Sequence, residues 1–202
     1  MSYKVITIGR QFGSGGHIIG EKLAEKLGFA YYDKNLIEMA AEKSGLSHGA
    51  LTEVDEQAAN PWLYAAMSQT GQTNFGTVNF CANDTLFNTQ SEIIRNIADT
   101  ENAVIVGRCA DYILRDRNVK LFSVYIYAPM AARVARTMER DKVNEAQAVN
   151  LIKRNDKQRK CYYDFYTDRK WASHVNYDLT INSETFGIDG TVDIICNAVK
   201  DR

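Results

Sequence analysis

Gly13, Ser14, Gly15, Gly16 and His17 put three glycines within four positions. Glycine takes the positive φ angles of a tight turn, so successive backbone N–H groups can converge on one anion. The chemistry on offer is phosphate binding. Arg10 and His17 are the side chains near this loop that can add positive charge. Two further groups could act on the same ligand. Asp33 and Arg108 each follow a short apolar run, one as a carboxylate and the other as a guanidinium fork suited to bidentate phosphate contact.

These groups need a scaffold. Val5-Ile6-Thr7-Ile8 is a β-branched run that reads as a buried strand. Ile19, Leu23, Ala24 and Leu27 follow the loop at helical spacing, and Gly28 reads as a C-cap. A strand, a glycine loop and a helix N-terminus form an anion cradle, since the helix dipole favours negative charge there. The spacing departs from G-x-x-x-x-G-K-[ST]. Gly16 stands where that pattern has Lys, and His17 or Ile18 stands where it has the Ser/Thr for Mg²⁺.

Further strands are expected at 29–33, 103–107, 121–128 and 177–181. Helices are expected at 35–43, 46–57, 86–98, 111–114, 131–140, 144–166 (one helix or a pair) and 190–199. Asn60-Pro61 marks a break, 62–67 is apolar, and 68–83, rich in Gly, Asn, Thr and Gln, reads as an irregular insertion. Strands alternating with helices predict an α/β fold with a parallel sheet and helices on both faces. Ligands then sit at the carboxyl ends of the strands, where the loop, Asp33 and Arg108 converge.

The 202 residues suit one domain, or one domain with an inserted lid. A net charge of -1 gives no general nucleic-acid or membrane signal, and no apolar run has the length of a membrane span. Met1-Ser2-Tyr3-Lys4 leads straight into a strand, which reads as a chain without a signal peptide. Cys81, Cys109, Cys161 and Cys196 form no CxxC pair, so reduced thiols in a cytoplasmic protein are expected.

At this level the sequence resembles the P-loop nucleoside monophosphate kinases, most closely the cytidylate-kinase-like group. The carriers are Gly9–His17, Tyr31-Tyr32-Asp33-Lys34, Val104–Asp111 and Lys153–Arg159. The resemblance implies a three-layer α/β/α P-loop NTPase fold with a five-stranded parallel sheet, an NMP-binding region and a helical lid. The core would be about 1–34, 86–130 and 175–202, with the acceptor-binding insertion about 35–85 and the lid about 131–174. Gly13, Ser14, Gly15, Gly16 and His17 would bind the donor's phosphates, and Asp33 and Arg108 the acceptor. Arg154, Asp156 and Arg159 match the lid motif, and Arg133 or Arg136 would stack on the donor base. Arg10, Arg154 and Arg159 are the catalytic cations expected to replace the absent lysine. The implied cofactors are ATP and Mg²⁺, and no metal-binding side chain is assigned. The implied function is ATP-dependent phosphoryl transfer to a CMP- or dCMP-like nucleotide or another small acceptor, with a homodimer left open. Two alternatives stand beside it. One is a nucleotide-binding sensor or partner protein that has lost catalysis. The other is a dinucleotide-binding domain, since Asp33 lies about 20 residues past the loop, but Ile18 stands where the third glycine belongs.

Overall fold

The computed structural model describes residues 4–33, 35, 36, 39 and 73–200. Over these residues the order is β1 (Lys4–Arg10), α1 (Gly16–Leu27), β2 (Ala30–Tyr32), α2 (Thr73–Thr100), β3 (Ala103–Val106), α3 (Ala110–Ile113), β4 (Lys120–Tyr127), α4 (Met130–Asp141), α5 (Glu145–Thr167), β5 (Leu179–Asn182) and α6 (Ser183–Lys200).

The strands form one five-stranded sheet in the order β2-β3-β1-β4-β5, parallel throughout. Central strands with helices on both faces are buried on both sides, which is why β1 and β3 read as continuous apolar runs. Val5, Ile105, Ile94 of α2 and Leu114 pack on one face. Ile6, Ile8, Val106, Ile19 and Leu23 of α1, and Ile195 of α6, pack on the other. Burying one such side chain contributes about 1.5–3 kcal/mol. The result is the expected three-layer α/β fold.

The register decides what stands at the sheet's carboxyl edge. Ile8 lies opposite Val106, and Tyr32 opposite Ile105. Arg10, Asp33 and Gly107-Arg108 therefore leave the sheet at one level. Gly9 is needed there because a Cβ would lie 2.9 Å from the Tyr125 ring and 3.0 Å from the Tyr177 ring.

Three segments differ from expectation. Residues 73–83, expected to be irregular, belong to α2, which is continuous through residue 100. Their Asn, Gly and Thr content hides any periodicity. However, Leu86, Ile93, Ile94 and Ile97 anchor the helix on the sheet, and extending an anchored helix costs far less than nucleating one. Residues 144–166 form one helix, not two, entered through a capping box in which Asn144 Oδ1 accepts from the Gln147 amide at 2.9 Å. The last helix begins at Ser183 rather than 190, with a non-helical Gly187 (φ 67°, ψ 175°) inside it. That kink masks the first turn in the sequence pattern. Asn35, Leu36 and Met39 are helical and Leu36 is fully buried. The rest of 35–43, the helix expected at 46–57, the break at Asn60-Pro61 and the apolar stretch 62–67 lie outside the described residues.

Candidate active site at the carboxyl edge of the sheet

The glycine loop leaves β1 and enters α1 with Gly13 at φ 77° and Gly15 at φ 81°. Any other residue would be strained there. A Cβ on Gly13 would also meet the Arg133 carbonyl at 2.8 Å, and one on Gly15 the Ile188 side chain at 2.5 Å. The loop is held from outside. The Ser183 hydroxyl donates to the Ser14 carbonyl at 2.6 Å, and the Gln11 amide to the Ile126 carbonyl at 3.0 Å. Among the described residues, no acceptor in the chain takes the amides of Gly13, Gly15, Gly16 or His17. Four N–H groups at a helix N-terminus are thus left for an anion.

Phe12 is the hub between this loop and the helical segment beyond β4. Its amide donates to Asp156 Oδ1 of α5 at 2.8 Å, and its carbonyl accepts from Arg133 Nε of α4 at 2.7 Å. Arg133 closes the triangle by pairing with Asp156 Oδ2. The Arg140 and Arg159 guanidinium carbons lie 4.7 and 5.6 Å from the centre of the Phe12 ring. Arg133 was expected to stack on a donor base, but its side chain is buried and committed to the loop. Arg136 pairs with Glu184, and its Nη1 is buried without a partner among the described residues.

Arg159 Nη1 donates to the Arg10 carbonyl at 3.1 Å, which sets its guanidinium at the start of the loop. Arg154 lies five residues earlier, about 140° around the helix, and is exposed. The structure therefore brings Arg159 to the loop and leaves Arg154 on the outer face. Burial, and then the Arg10 charge, push Arg159 down to about 9. A guanidinium so placed stays protonated at neutral pH. The shift records two desolvated cations side by side, an arrangement that an anion would relieve. Tyr125 is buried close to these charges, and its hydroxyl has no partner among the described residues. Burial pushes its pKa up, so it remains a donor.

On the β2 side, Asp33 is buried. Its Oδ2 lies 2.8 Å from His17 Nδ1, and its Oδ1 3.5 Å from Arg10 Nη2. The Tyr31 hydroxyl is 2.9 Å from His17 Nδ1. Arg10 lies across Gly107, where a Cβ would fall 1.9 Å from Arg10 Nη1. Gly107, Arg108 and Cys109 all have positive φ (80°, 56° and 54°), so the chain turns sharply as it leaves β3. Arg108 is partly buried at that turn. Gly107→Ala should displace Arg10 and add left-handed strain of about 1–2 kcal/mol. Scanning calorimetry should show a melting temperature lower by about 2–8 °C.

The arrangement fits the polyphosphate of a nucleotide such as ATP, which would take the four amides with Arg10 and Arg159. Mg²⁺ does not fit as well. It requires hard oxygen ligands in an octahedral set. Asp33 is engaged by His17 and Arg10, the Ser14 hydroxyl donates to the Gln11 carbonyl at 2.8 Å, and no cluster of metal-ligating side chains occurs among the described residues. Among them, too, no helix is long and apolar enough to cross a membrane, and Cys109, Cys161 and Cys196 are free thiols.

Of the residues singled out from the sequence, the structure brings Arg10, the glycines, His17, Asp33 and Arg159 together and places Arg108 at the turn after β3. Sequence reasoning missed the hub role of Phe12, the contacts of Arg140, Ser183 and Tyr125, and the placement of Tyr31. Tyr31 could have been found from its position two residues before Asp33, on the same side of a strand. Nothing local signals Ser183, whose partner is 169 residues away.

The Cytidylate kinase-like family matches residues 5–185. The cytidylate kinase of Archaeoglobus fulgidus is 27% identical over 201 residues, which is 96% of this chain and 94% of that protein. The cytidylate kinase of Methanococcus aeolicus is 31% identical over 108 residues; that match takes in 52% of this chain and spans 60% of that protein's length. The crystal structure of an uncharacterized protein from Eubacterium ventriosum superposes with a TM-score of 0.74 at 30% identity, covering 98% of this chain and 99% of that one. A shikimate kinase from Bacteroides thetaiotaomicron shares the fold at 13% identity and a TM-score of 0.54, over 99% of both chains. With its glycine loop, its Gly107-Arg108 turn and its α5 cations inside the matched region, the chain belongs to the cytidylate kinase-like family.

Proposed function

We propose that the protein transfers the terminal phosphoryl group of ATP to a small acceptor, with a CMP- or dCMP-like nucleotide or another small molecule as the acceptor class. The observation that carries this reading is the set of amides of Gly13, Gly15, Gly16 and His17, unpaired among the described residues and faced by Arg10 and Arg159. Relatives named cytidylate kinase along almost the whole chain support it. Phosphoryl transfer asks little covalent chemistry of a protein, only alignment and charge stabilisation.

In this reading the loop amides hold the donor's phosphates. Arg159, held against the Arg10 carbonyl, supplies the charge that a lysine at position 16 would give. Arg133 and Asp156 position the loop through Phe12, and residues 131–174 act as a lid. Arg136, beside Glu184, is the remaining candidate for the donor base. Arg108, at the turn after β3, binds the acceptor. Mg²⁺, if used, arrives bound to the nucleotide and takes no ligand from the described side chains. Arg108→Ala should weaken acceptor binding by about 1.5–3 kcal/mol, roughly tenfold to a hundredfold, with ATP affinity much less changed. Calorimetric titration of both substrates checks this.

The test of the reading is transfer of labelled γ-phosphoryl from ATP to CMP, dCMP, UMP, AMP and non-nucleotide acceptors, with and without Mg²⁺. Transfer to any acceptor supports it. Gly16 in place of lysine and the poor fit to Mg²⁺ favour a second reading, a nucleotide-binding sensor. That reading is selected by ATP binding without transfer to any acceptor.

A further inference from the structure

Phosphate binding accounts for the glycine loop and its arginines, but it leaves the imidazole of His17 without a task. Asp33 Oδ2 lies 2.8 Å from His17 Nδ1 and is buried in the protein. A carboxylate can only accept, so Nδ1 carries the hydrogen and Nε2 carries the lone pair. Tyr31 reinforces the orientation. Its hydroxyl lies 2.9 Å from Nδ1 and 3.5 Å from Asp33 Oδ2, and its ring meets the imidazole edge-on at 5.9 Å between centroids. Burial and then Asp33 push the Tyr31 hydroxyl up, so it keeps its proton: its oxygen shares the Nδ1 hydrogen, and its own hydrogen turns to the Asp33 carboxylate or to the His17 carbonyl at 3.4 Å. The His17 side chain is 59% exposed, and Nε2 has no partner among the described residues. The same residue lends its amide to the loop, one position after Gly16. An oriented, open imidazole beside a phosphate cradle has the parts of a general base.

A nucleoside monophosphate attacks through a phosphate oxygen that is already ionised near neutral pH, so it gives a base nothing to remove. A hydroxyl does. Resting on the phosphoryl-transfer reading, we propose that His17, held by Asp33, is the catalytic base for an acceptor that presents a hydroxyl group. The acceptor oxygen bonds to the γ-phosphorus of ATP while its proton passes to Nε2. The bond from the γ-phosphorus to the bridging oxygen breaks, and ADP leaves with that electron pair. The product is a phosphate monoester, and the imidazolium formed is stabilised by Asp33. Asp33 acts through His17 and is a positioning residue. Among the described residues, the charged and titratable groups facing this pair are Arg10 of β1, Tyr31 of β2, Glu21 of α1 and Arg159 of α5.

The experiment uses the full chain and two probes that need no knowledge of the natural acceptor. Water is the smallest hydroxyl, so ATP hydrolysis is followed without acceptor across pH. Cytidine and deoxycytidine are then compared with CMP and dCMP, which differ from them in offering a 5′-phosphate. The expected results are a hydrolysis rate that rises with pH along an acid limb, and transfer to the nucleosides in preference to the nucleotides. His17→Gln should lower the rate by about 100-fold or more and erase the limb. Asp33→Asn should lower the rate and alter the limb. Both variants keep the loop amides, so ATP affinity measured by calorimetry should fall far less than the rate does. The proposal is overturned if His17→Gln keeps the wild-type rate or limb. It is also overturned if CMP or dCMP is the better acceptor, or if the wild type binds ATP and releases no phosphate. A wild type that does not bind ATP would instead bring down the phosphoryl-transfer reading itself.

Discussion

Arg159→Ala is expected to lower turnover by about 100-fold or more, the scale of removing one contact made to charge developing in a transition state. Arg159 lies against the Arg10 carbonyl at 3.1 Å and over the Phe12 ring, at the mouth of the loop whose amides are unpaired. Partly withdrawn from water, its charge acts more strongly on a phosphoryl group than an exposed one would. Arg10 is close to Asp33, so part of its charge is already answered. Arg10→Ala should therefore raise the Michaelis constant for ATP more than it lowers turnover. Arg154→Ala is the contrast: exposed on the outer face of α5, it should change turnover by no more than about twofold, as surface substitutions do. Steady-state kinetics on the three variants measure these effects. Equal losses for Arg154→Ala and Arg159→Ala would remove Arg159 from its assigned place.

Asp156→Ala is expected to cost about 3 kcal/mol of stability, the lower end of the range for breaking a buried ion pair. It leaves the Arg133 guanidinium, whose side chain is 6% exposed, without its carboxylate, and the Phe12 amide without its acceptor. A loss of that size corresponds to a melting temperature lower by about 6–12 °C for a chain of this length. The lower end is appropriate because Asp156 itself is 20% exposed. Because Phe12 ties the loop to α4 and α5, ATP affinity should fall as well. Replacing both partners, Arg133→Met with Asp156→Leu, should recover part of the stability, since no charge is then left buried alone. It should not recover the affinity. A double variant that regains both would mean the triangle is not what positions the loop.

The parts of the fold that were legible in the sequence are those with strong local signals. β1 and β3 show as uninterrupted β-branched runs because both of their faces are buried, and α1 shows as an apolar stripe ending at Gly28, whose backbone takes the left-handed cap conformation. Parallel register then places Arg10, Asp33 and Arg108 at one edge with no further information. What was not legible depends on contacts between distant segments. Residues 73–83 join α2 because the Leu86–Ile97 face docks on the sheet, although their own propensities argue otherwise. The first turn of α6 was hidden by Gly187. Arg133 and Arg159 look alike as lid cations, yet one is sealed against Phe12 and Asp156 while the other faces the loop. The difference lies in where α4 and α5 pack, which spacing along the chain does not encode. His17 read as the start of a helix, and its partner Asp33 as the end of a strand. That they meet at 2.8 Å follows only once α1 is laid against β2.

The edge formed by Gly13–His17, Arg10 and Arg159 is expected to bind a nucleotide through its phosphates. Calorimetric titration of the full chain with ATP, ADP and adenosine tests it most directly. The account predicts that ATP binds most tightly, that each phosphate removed weakens binding, and that adenosine binds more weakly than ATP by at least about a hundredfold, since two charge-assisted contacts of about 1.5–3 kcal/mol each are lost with the phosphates. Adenosine binding as tightly as ATP, or no heat from any of the three with the wild-type protein, would contradict it.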